Sequence, residues 1–439
     1  MSPPADDAAS RRVVVTGVGT ISAGGFGLDG TWRRLQEGPL RPTVHRPPAP
    51  ADSLAFHAFE VPDYELADLG VPARCLRWLR TEGLDGARDL RHMLGATALA
   101  LSDARLPLRL EGTDPPVAVI VADESPGFEQ LSRALFELAA DGATGQAAPD
   151  PSTEAMYEHF VHEFFQLNTF LLPFYLARAF GFEGTGLFVN SACTSGLNAL
   201  EVAAQEIRSG RSQVAVVSAA DDPLSAAKYL WFRGLGLYAD DGVLRPYDAE
   251  QRGTVFGDGG ATFVLESLDS ARRRGVEPYA ELAGVGFAQD GWKIASPSPI
   301  KAKASAAMQG ALDAAGLEPA ELDLIVPHGV GAPASDQYEA MVLHALLADV
   351  EPWPAISTFK PLLGHNLGGS ALLESALLMQ AMRTGCVPPT LHHATPYPRR
   401  ALPLVDHWMP RQIERALKLT CGFAGFYGAV VFRRPEDLA

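Results

Sequence analysis

Residues 187–200 read LFVNSACTSGLNAL, and this stretch decides the fold prediction. A short apolar run ends at Asn190, small residues follow, and apolar residues then recur at helical spacing from Leu197 onward. The pattern predicts a buried strand over 187–190 and a helix over 195–208, with Cys193 at the turn between them. Free backbone N–H groups and the helix dipole at such a turn favour a thiolate, which suits a nucleophile. A small buried core cysteine is the alternative interpretation of this stretch alone.

The composition is that of a globular chain with a large core. The 439 residues are 47% hydrophobic and 20% charged, and this length indicates two domains or one large duplicated one. No uncharged apolar run is long enough to span a membrane and the N-terminus lacks a signal-peptide pattern, so we expect a cytoplasmic protein. The net charge of -16 argues against nucleic-acid binding. Neither disulfides nor a metal site are predicted, because the cysteines are scattered without a CxxC pair: Cys75, Cys193, Cys386 and Cys421.

Strands and helices alternate along the chain, which favours parallel strands covered by helices. Gly17 and Gly19 form a GxG after the first strand, but Ser22 occupies the third glycine position of a dinucleotide fingerprint, so a nicotinamide enzyme is not predicted. Both halves contain a strand that leads into a small-residue turn and a helix, with Cys193 at the turn in the first half and His328 in the second. The other predicted strands are 11–17, 117–122, 214–219, 261–265, 280–285 and 322–326, and the other predicted helices are 87–104, 301–315 and one from about 336.

Three segments lack this regular pattern. Residues 37–56 are rich in proline and are predicted to be irregular, and residues 139–152 are predicted to be a surface loop. Residues 156–180 are dense in Phe and Tyr, and this stretch could pack in the core, line a cavity or cover a partner surface.

Three further segments carry residues that make chemical sense beside Cys193. PHGVG at 327–331 presents His328 after a buried strand, and STFKPLLGHNLGGSALLE at 357–374 presents Lys360 and His365 around a turn. CGFAGFYGAVVF at 421–432 places glycine-flanked backbone before a closing strand. A single His or Lys is most often structural, but together with a cysteine at a strand-to-helix turn they indicate a catalytic site.

In these motifs and in their order the chain resembles the β-ketoacyl synthases, the condensing enzymes of fatty acid and polyketide synthesis, over residues 12–435. RRVVVTGVGTIS resembles the opening strand of that family, SACTSG its nucleophile motif, RPYDAEQRGTVFGDGGATFVLE its mid-chain signature and KPLLGH its lysine–histidine motif. The resemblance implies an α/β, thiolase-like fold with duplicated αβαβα layered halves and mixed five-stranded sheets. An N-terminal half over 1–270 would carry the nucleophile, and a C-terminal half over 271–439 would carry the His, Lys and His residues.

The resemblance also implies a role for each motif residue. Cys193 would accept an acyl chain as a thioester, and His328 and His365 would assist decarboxylation of a malonyl thioester and hold the enolate oxygen. The backbone N–H groups of Cys193 and Phe423 would form the oxyanion hole. Lys360 would hold the electrostatics of the site in place.

Glu374 would support Lys360 as its buried counter-ion. The resemblance implies no metal and no redox cofactor. It also implies that the phosphopantetheine thioester is supplied on an acyl-carrier protein. A homodimer, or a heterodimer with a related ketosynthase-like subunit, is expected on the same ground.

Two departures from the family pattern concern substrate binding. The usual HGTGT reads HGVGA here, so Val330 and Ala332 replace two hydroxyls expected to bind phosphopantetheine. The usual GFGGTN reads GFAGFY, so the bulkier Phe426 and Tyr427 are expected to reshape the pocket wall. The prediction is therefore a β-ketoacyl-[acyl-carrier-protein] synthase of a specialised polyketide or fatty-acid-like pathway.

Three other functions compete with this prediction. A thiolase-fold acyltransferase would acylate Cys193 and form an ester or amide, but Lys360 and His365 favour decarboxylative condensation. A chain-length-factor-like partner subunit typically lacks the cysteine. A cysteine hydrolase would leave the second histidine and Lys360 without a role.

Overall fold

The computed structural model describes residues 12–48, 51–144, 153–299, 303–397 and 400–435. Its strands are β1 (Val13–Ser22), β2 (Gly25–Phe26), β3 (Thr43–His45), β4 (Phe56–Phe59), β5 (Ala118–Ala122), β6 (Gly186–Val189), β7 (Val214–Asp221), β8 (Phe256–Gly257), β9 (Gly259–Ser267), β10 (Ala280–Gln289), β11 (Leu324–Val326), β12 (Ala355–Ile356), β13 (Cys386–Val387), β14 (Met409–Pro410), β15 (Arg415–Cys421) and β16 (Phe426–Arg433). Its α-helices are α1 (Leu28–Gln36), α2 (Ala73–Thr81), α3 (Arg88–Asp103), α4 (Phe128–Thr144), α5 (Thr153–Gln166), α6 (Leu171–Phe180), α7 (Ser195–Arg208), α8 (Ala226–Gly234), α9 (Leu268–Arg274), α10 (Lys303–Ala315), α11 (Pro333–Leu346), α12 (Lys360–Leu363) and α13 (Ser370–Thr384), and Pro319–Glu321, Leu367–Gly369 and Phe423–Gly425 form 3₁₀ turns.

One eleven-stranded sheet contains the same five-strand arrangement twice. Its order is β12-β11-β15-β16-β10-β1-β9-β7-β5-β6, with β2 attached to β1. The five strands of each half can be numbered one to five in sequence order. Strand one pairs antiparallel with strand five, and strand five pairs antiparallel with strand four. Strand four pairs parallel with strand two, and strand two pairs parallel with strand three. The two first strands, β1 and β10, pair antiparallel at the centre. The predicted duplication into mixed five-stranded halves is therefore present, whereas the boundary between 270 and 271 stays a prediction.

Helices cover both halves in the same way. Helix α3 packs on β1 and β9, and α10 packs on β10 and β16. Helices α7 and α13 contact each other, and both are largely buried in one apolar core that joins strands of the two halves. Because α7 follows Cys193 and α13 follows His365, this central contact sets the distance between the segments that carry these two residues.

The GxG motif of β1 serves helix packing. A Cβ at Gly19 would lie 2.0 Å from the carbonyl oxygen of Ala96 in α3, and a Cβ at Gly286 of β10 would lie 2.1 Å from that of Ala307 in α10. Each first strand thus carries a Gly-Val-Gly on which its helix rests at backbone distance.

Three local predictions need correction. The predicted loop at 139–152 is wrong over 139–144, where alanines with high helix propensity continue α4, and residues 145–152 lie outside the described residues. The predicted irregular stretch 37–56 contains β3, which pairs with β4 because Thr43–His45 is a proline-free, β-branched run. The strand at 187–190 was predicted to be buried, but β6 is the edge of the sheet and Leu187 is 43% exposed.

In the part of the chain that the structure describes, none of the helices combines the length and apolarity needed to cross a bilayer.

Candidate active site

Cys193 lies in a tight elbow between β6 and α7. Ala192 has a left-handed backbone with φ of +53°, a conformation that costs a non-glycine residue energy and turns the chain sharply. The Ser195 hydroxyl accepts a hydrogen bond from Ser191 N at 2.8 Å and donates one to Ala192 O at 2.6 Å, which locks the turn. Cys193 is 5% exposed and lies two residues before α7.

The structure brings both predicted histidines to this thiol. His328 follows β11, and His365 follows α12. The Cys193 Sγ atom lies 3.5 Å from His365 Nε2, and a ligand atom of each of the three side chains lies within 4.8 Å of the others. The two imidazole rings are 5.5 Å apart and nearly perpendicular, at 84°. One small reacting group can therefore contact the sulfur and both rings.

Ser370, which the sequence analysis did not identify, orients His365. Its Oγ lies 2.7 Å from His365 Nδ1 at the start of α13. Burial, together with the nearby cation Lys360, holds the pKa of both His328 and His365 well below its ordinary value. Both rings are therefore neutral, and with Ser370 holding Nδ1, the Nε2 atom of His365 faces the sulfur.

Lys360 is at the centre of a buried charge network. Its Nζ lies 2.6 Å from Glu374 Oε1, 2.8 Å from His328 O and 3.2 Å from His328 Nδ1. The other oxygen of Glu374 lies 2.7 Å from the Nζ of Lys418, a second fully buried lysine. Burial lowers the pKa of Lys418 to about 8, although Glu374 opposes this shift. The sequence analysis missed Lys418, and the available signal was a lysine in the apolar run that precedes Cys421.

Two carboxylates of α11, Asp336 and Glu339, hold the turn that presents His328. Glu339 accepts hydrogen bonds from His328 N at 2.6 Å and Gly329 N at 2.9 Å. Asp336 accepts from Val330 N and from Gly331 N, each at 3.1 Å. Burial raises the pKa of Asp336 to about 8. The sequence analysis identified neither residue, because nothing in the local pattern ties a helix carboxylate to a preceding turn.

The 421–427 segment lies against the nucleophile elbow. A Cβ at Gly422 would lie 3.2 Å from Ser191 O and 3.4 Å from Cys193 N, so the two backbones are in contact there. Phe423 packs against Trp231 and Phe232, with ring centroids 5.4 and 5.5 Å away. The backbone contact at Gly422 brings the segments of Cys193 and Phe423 side by side, and the N–H groups of these two residues are the ones predicted to form the oxyanion hole.

A cavity of about 70 Å³ opens beside these groups. Its lining includes Cys193, both histidines and three of the four predicted pocket residues: Val330, Ala332 and Tyr427. Phe426 is not among the described lining residues and instead pairs with Gln289 across β10 and β16. Tyr427 also donates a hydrogen bond of 2.7 Å to Asp290, which in turn accepts from Trp292 N and Ser298 N. Tyr427 therefore holds the loop at 290–298, whose residues 294–297 form part of the cavity wall.

Comparisons with known proteins identify the class. Residues 85–271 match the family model described as the β-ketoacyl synthase N-terminal domain, and residues 279–394 match that of the C-terminal domain. The chain belongs to the β-ketoacyl synthase family, and its fold is the thiolase-like fold of the ketosynthases.

Similar proteins narrow this class. The chain is 30% identical to a putative polyketide beta-ketoacyl synthase 1 of Streptomyces halstedii, covering 97% of this chain and 99% of the relative. It is 28% identical to the ketoacyl synthase alpha subunit of the tetracenomycin polyketide synthase of Streptomyces glaucescens, covering 98% of each. Among solved structures, the ishigamide ketosynthase/chain length factor aligns over 97% of this chain and 99% of its own at 26% identity, with a TM-score of 0.81.

Proposed function

We propose that the protein condenses an acyl chain held on Cys193 with a malonyl group on an acyl-carrier protein, with loss of carbon dioxide, in a specialised polyketide or fatty-acid-like pathway. The observation that carries this proposal is the buried cluster of Cys193, His328 and His365, whose reactive atoms lie within 4.8 Å of one another. A thiol beside two neutral imidazoles fits thioester formation followed by stabilisation of an enolate. A cytoplasmic location belongs to the same proposal.

In the first step Cys193 takes the acyl chain. Its sulfur attacks the carrier thioester, the bond from the acyl carbon to Cys193 forms, the bond to the carrier sulfur breaks, and the thiol proton passes to the departing sulfur. The negative charge on the carbonyl oxygen would be met by the backbone N–H groups of Cys193 and Phe423, whose segments are in contact. Each such preorganised donor contributes about 3–4 kcal/mol in a dry site.

In the second step the malonyl thioester loses carbon dioxide and becomes an enolate. His328 and His365 would donate hydrogen bonds to the enolate oxygen, which requires neutral rings that carry a proton on the nitrogen facing the substrate. Lys360 supports this state for His328, because its cation lies 3.2 Å from Nδ1 and disfavours a second positive charge on the ring. The enolate carbon then attacks the acyl carbon, a carbon–carbon bond forms, and the Cys193 sulfur leaves and takes up a proton.

The cavity supports delivery of both substrates on a pantetheine arm. Val330 and Ala332 give its wall an apolar surface where the family pattern has hydroxyls, which favours an arm held by packing. Ile294 and Trp231 are 71% and 47% exposed near this wall, where a carrier protein would place its arm. No metal or redox cofactor enters either proposed step.

A partner subunit, identical or related, belongs to the proposal. The edge strand β6, the helices α5 and α6 and the turn between these helices expose large apolar side chains: Tyr157, Phe164, Phe165, Phe170, Phe174 and Leu187. An open sheet edge flanked by aromatic side chains favours burial against another chain. The exposed side chains favour the partner-surface interpretation for their part of residues 156–180, whereas Phe160, Tyr175 and Phe180 of the same stretch are buried and support core packing there.

The chain-length-factor-like alternative is the second candidate, because the similar ishigamide structure pairs a ketosynthase with such a subunit. The complete Cys193, His328 and His365 cluster favours the catalytic subunit, since a partner that only shapes a tunnel needs no nucleophile.

Intact-mass spectrometry tests the proposal. Wild type and Cys193→Ala are incubated with acyl-carrier thioesters and then with malonyl-carrier protein. We expect an acyl adduct on wild type alone, discharged with release of carbon dioxide as a product two carbons longer. An adduct on the Cys193→Ala variant, or discharge without decarboxylation, would contradict the proposal.

A further inference from the structure

Thr254 brings a hydroxyl group to the wall of the active-site cavity, and the proposed steps leave it without a role. Thr254 is 1% exposed and lines the same cavity as Cys193, His328 and His365. Within the part of the chain that the structure describes, its Oγ1 atom has no hydrogen-bond partner. Buried hydroxyl groups in folded proteins nearly always have a partner, because burial without one is costly. A hydroxyl of this kind in a cavity wall is available to a ligand.

Backbone contacts place Thr254 between the two turns that carry the histidines. On one side, the N–H of Gly253 donates to the carbonyl of Gly331 in the HGVGA turn at 2.9 Å. On the other side, the carbonyl of Val255 accepts from the N–H of His365 at 2.9 Å. Thr254 therefore lies where the two turns meet in the cavity wall.

The backbone polar groups of Thr254 are already paired. Its N–H donates to the carbonyl of Leu237 at 2.8 Å, and its carbonyl accepts from the N–H of Ala239 at 2.9 Å. These two bonds fix the position of the residue, and the hydroxyl is the polar group that it has left for a ligand.

The other hydroxyl groups of the wall differ from that of Thr254. Tyr427 donates its hydrogen bond to Asp290 at 2.7 Å. Ser296 and Ser335 are half-buried, so water can reach them. Thr254 thus combines full burial in this wall with an unused hydroxyl.

The neighbouring wall indicates which part of a substrate needs this hydroxyl. Val330 and Ala332 flank Gly331, are buried and line the cavity, and neither side chain can form a hydrogen bond. A pantetheine arm carries an amide group close to its sulfur, and an amide in an apolar cavity is costly without a partner. A threonine hydroxyl can donate to the amide carbonyl or accept from the amide N–H.

We propose that the Thr254 hydroxyl forms a hydrogen bond with the pantetheine amide nearest the thioester, in place of the hydroxyls that the family pattern has at positions 330 and 332. Thr254 is then a substrate-binding residue, which the sequence analysis did not identify. The inference rests on the proposed function, because it assumes that pantetheine thioesters reach Cys193.

The test compares wild type with Thr254→Val, which replaces the hydroxyl by a methyl group of the same shape, and with Thr254→Ser, which keeps the hydroxyl. Acylation of Cys193 in a single turnover is followed by intact mass over a range of donor concentrations. One donor is butyryl-pantetheine, and the other is S-ethyl thiobutyrate, which has the same thioester and acyl group but no amide. Each series gives the maximal rate divided by the half-saturating donor concentration.

The matched control is Thr420→Val. The Oγ1 atom of Thr420 in β15 is also buried without a partner among the described residues, but Thr420 is not among those that line the cavity. Replacement of an unpartnered buried hydroxyl by a methyl group should not weaken the fold. Both valine variants should therefore unfold at or above the temperature of wild type.

We expect Thr254→Val to lower this ratio about tenfold with butyryl-pantetheine, the effect of one hydrogen bond. The loss should come from the half-saturating concentration, with the maximal rate unchanged, because the hydrogen bond holds the arm and not the reacting atoms. With S-ethyl thiobutyrate the variant should match wild type. Thr254→Ser should stay close to wild type with both donors, and so should Thr420→Val.

Three outcomes would overturn this inference and leave the proposed function standing, because wild type is still acylated. The first is an unchanged ratio for Thr254→Val with butyryl-pantetheine. The second is an equal loss with S-ethyl thiobutyrate, which would mean that the hydroxyl acts on the thioester or acyl group. The third is a lowered unfolding temperature of Thr254→Val, which would show that the hydroxyl has a partner within the protein. A wild-type protein that no pantetheine or carrier thioester acylates overturns the proposed function, and the inference with it.

Discussion

Among the described residues Glu374 forms an ion pair with both buried lysines of the site, and its replacement by Gln tests how the site is held together. The carboxylate lies 2.6 Å from Lys360 Nζ and 2.7 Å from Lys418 Nζ, and the three side chains are at most 6% exposed. Glu374→Gln keeps the shape but leaves two cations facing each other. Removal of one partner from a buried ion pair costs about 3–5 kcal/mol, so we expect a loss of unfolding free energy in this range.

The pH dependence of that loss follows from Lys418. Its pKa is about 8 in the folded protein against an ordinary value of 10.5, so above pH 8 the unfolded chain holds more protons and wild-type stability rises with pH until about 10.5. Without Glu374 the pKa of Lys418 falls further, because the carboxylate raises it. The stability loss in the variant should therefore shrink as the pH rises from the lowered pKa of Lys418 to about 8, and it should stay constant above pH 8, where Lys418 is neutral in both folded proteins.

Urea unfolding at a series of pH values measures this difference. The matched control is Glu137→Gln, which removes the carboxylate of an exposed pair with Arg133, 3.8 Å apart, and should cost at most about 0.5 kcal/mol. If Glu374→Gln lost less than about 1 kcal/mol, or no more than the control, then Glu374 would not be what holds the two lysines.

Three other substitutions separate packing from substrate binding. Val330→Thr restores a hydroxyl in the cavity wall, and we expect the KM for a pantetheine thioester to fall by up to about tenfold, the effect of one hydrogen bond; an unchanged KM would show that position 330 does not contact the arm. Ala332→Thr should instead raise the unfolding free energy by about 1 kcal/mol, because residue 332 is the N-cap of α11 and lacks a capping side chain. Tyr427→Phe removes the hydrogen bond to Asp290, so we expect a loss of about 1 kcal/mol in stability and faster hydrogen exchange at 290–298. Protection of that loop equal to wild type would mean that Tyr427 only fills space.

The motifs and their order were sufficient to predict the fold and the central cluster. A strand, a small-residue turn and a helix around Cys193 are local features that neighbouring residues in the sequence reveal. The segments with His328, Lys360 and His365 can be recognised from their neighbouring residues in the same way. The duplication also had a sequence signal that was not used, since Gly-Val-Gly recurs at 17–19 and 284–286, once in each first strand.

Long-range partners could not be predicted in this way. Lys418 and Glu339 reach the site through pairing of distant strands and packing of α11, and a carboxylate or lysine in a sequence carries no mark of burial. The exposure of β6 could not be predicted for the same reason, because it depends on which strands pair. An apolar strand at a sheet edge and one at its centre have the same pattern, and only the strand order separates them.

The central seam of the sheet has a consequence for ancestry. Each five-strand half leaves its first strand without a neighbour on one side, and β1 and β10 fill that gap for each other through an antiparallel pairing that includes Val14 with Glu281. Antiparallel pairing of like strands is what a two-fold axis between identical subunits produces. A single ancestral half could therefore have existed as a homodimer joined edge to edge, and fusion of two gene copies would have turned that subunit contact into the interior of one chain.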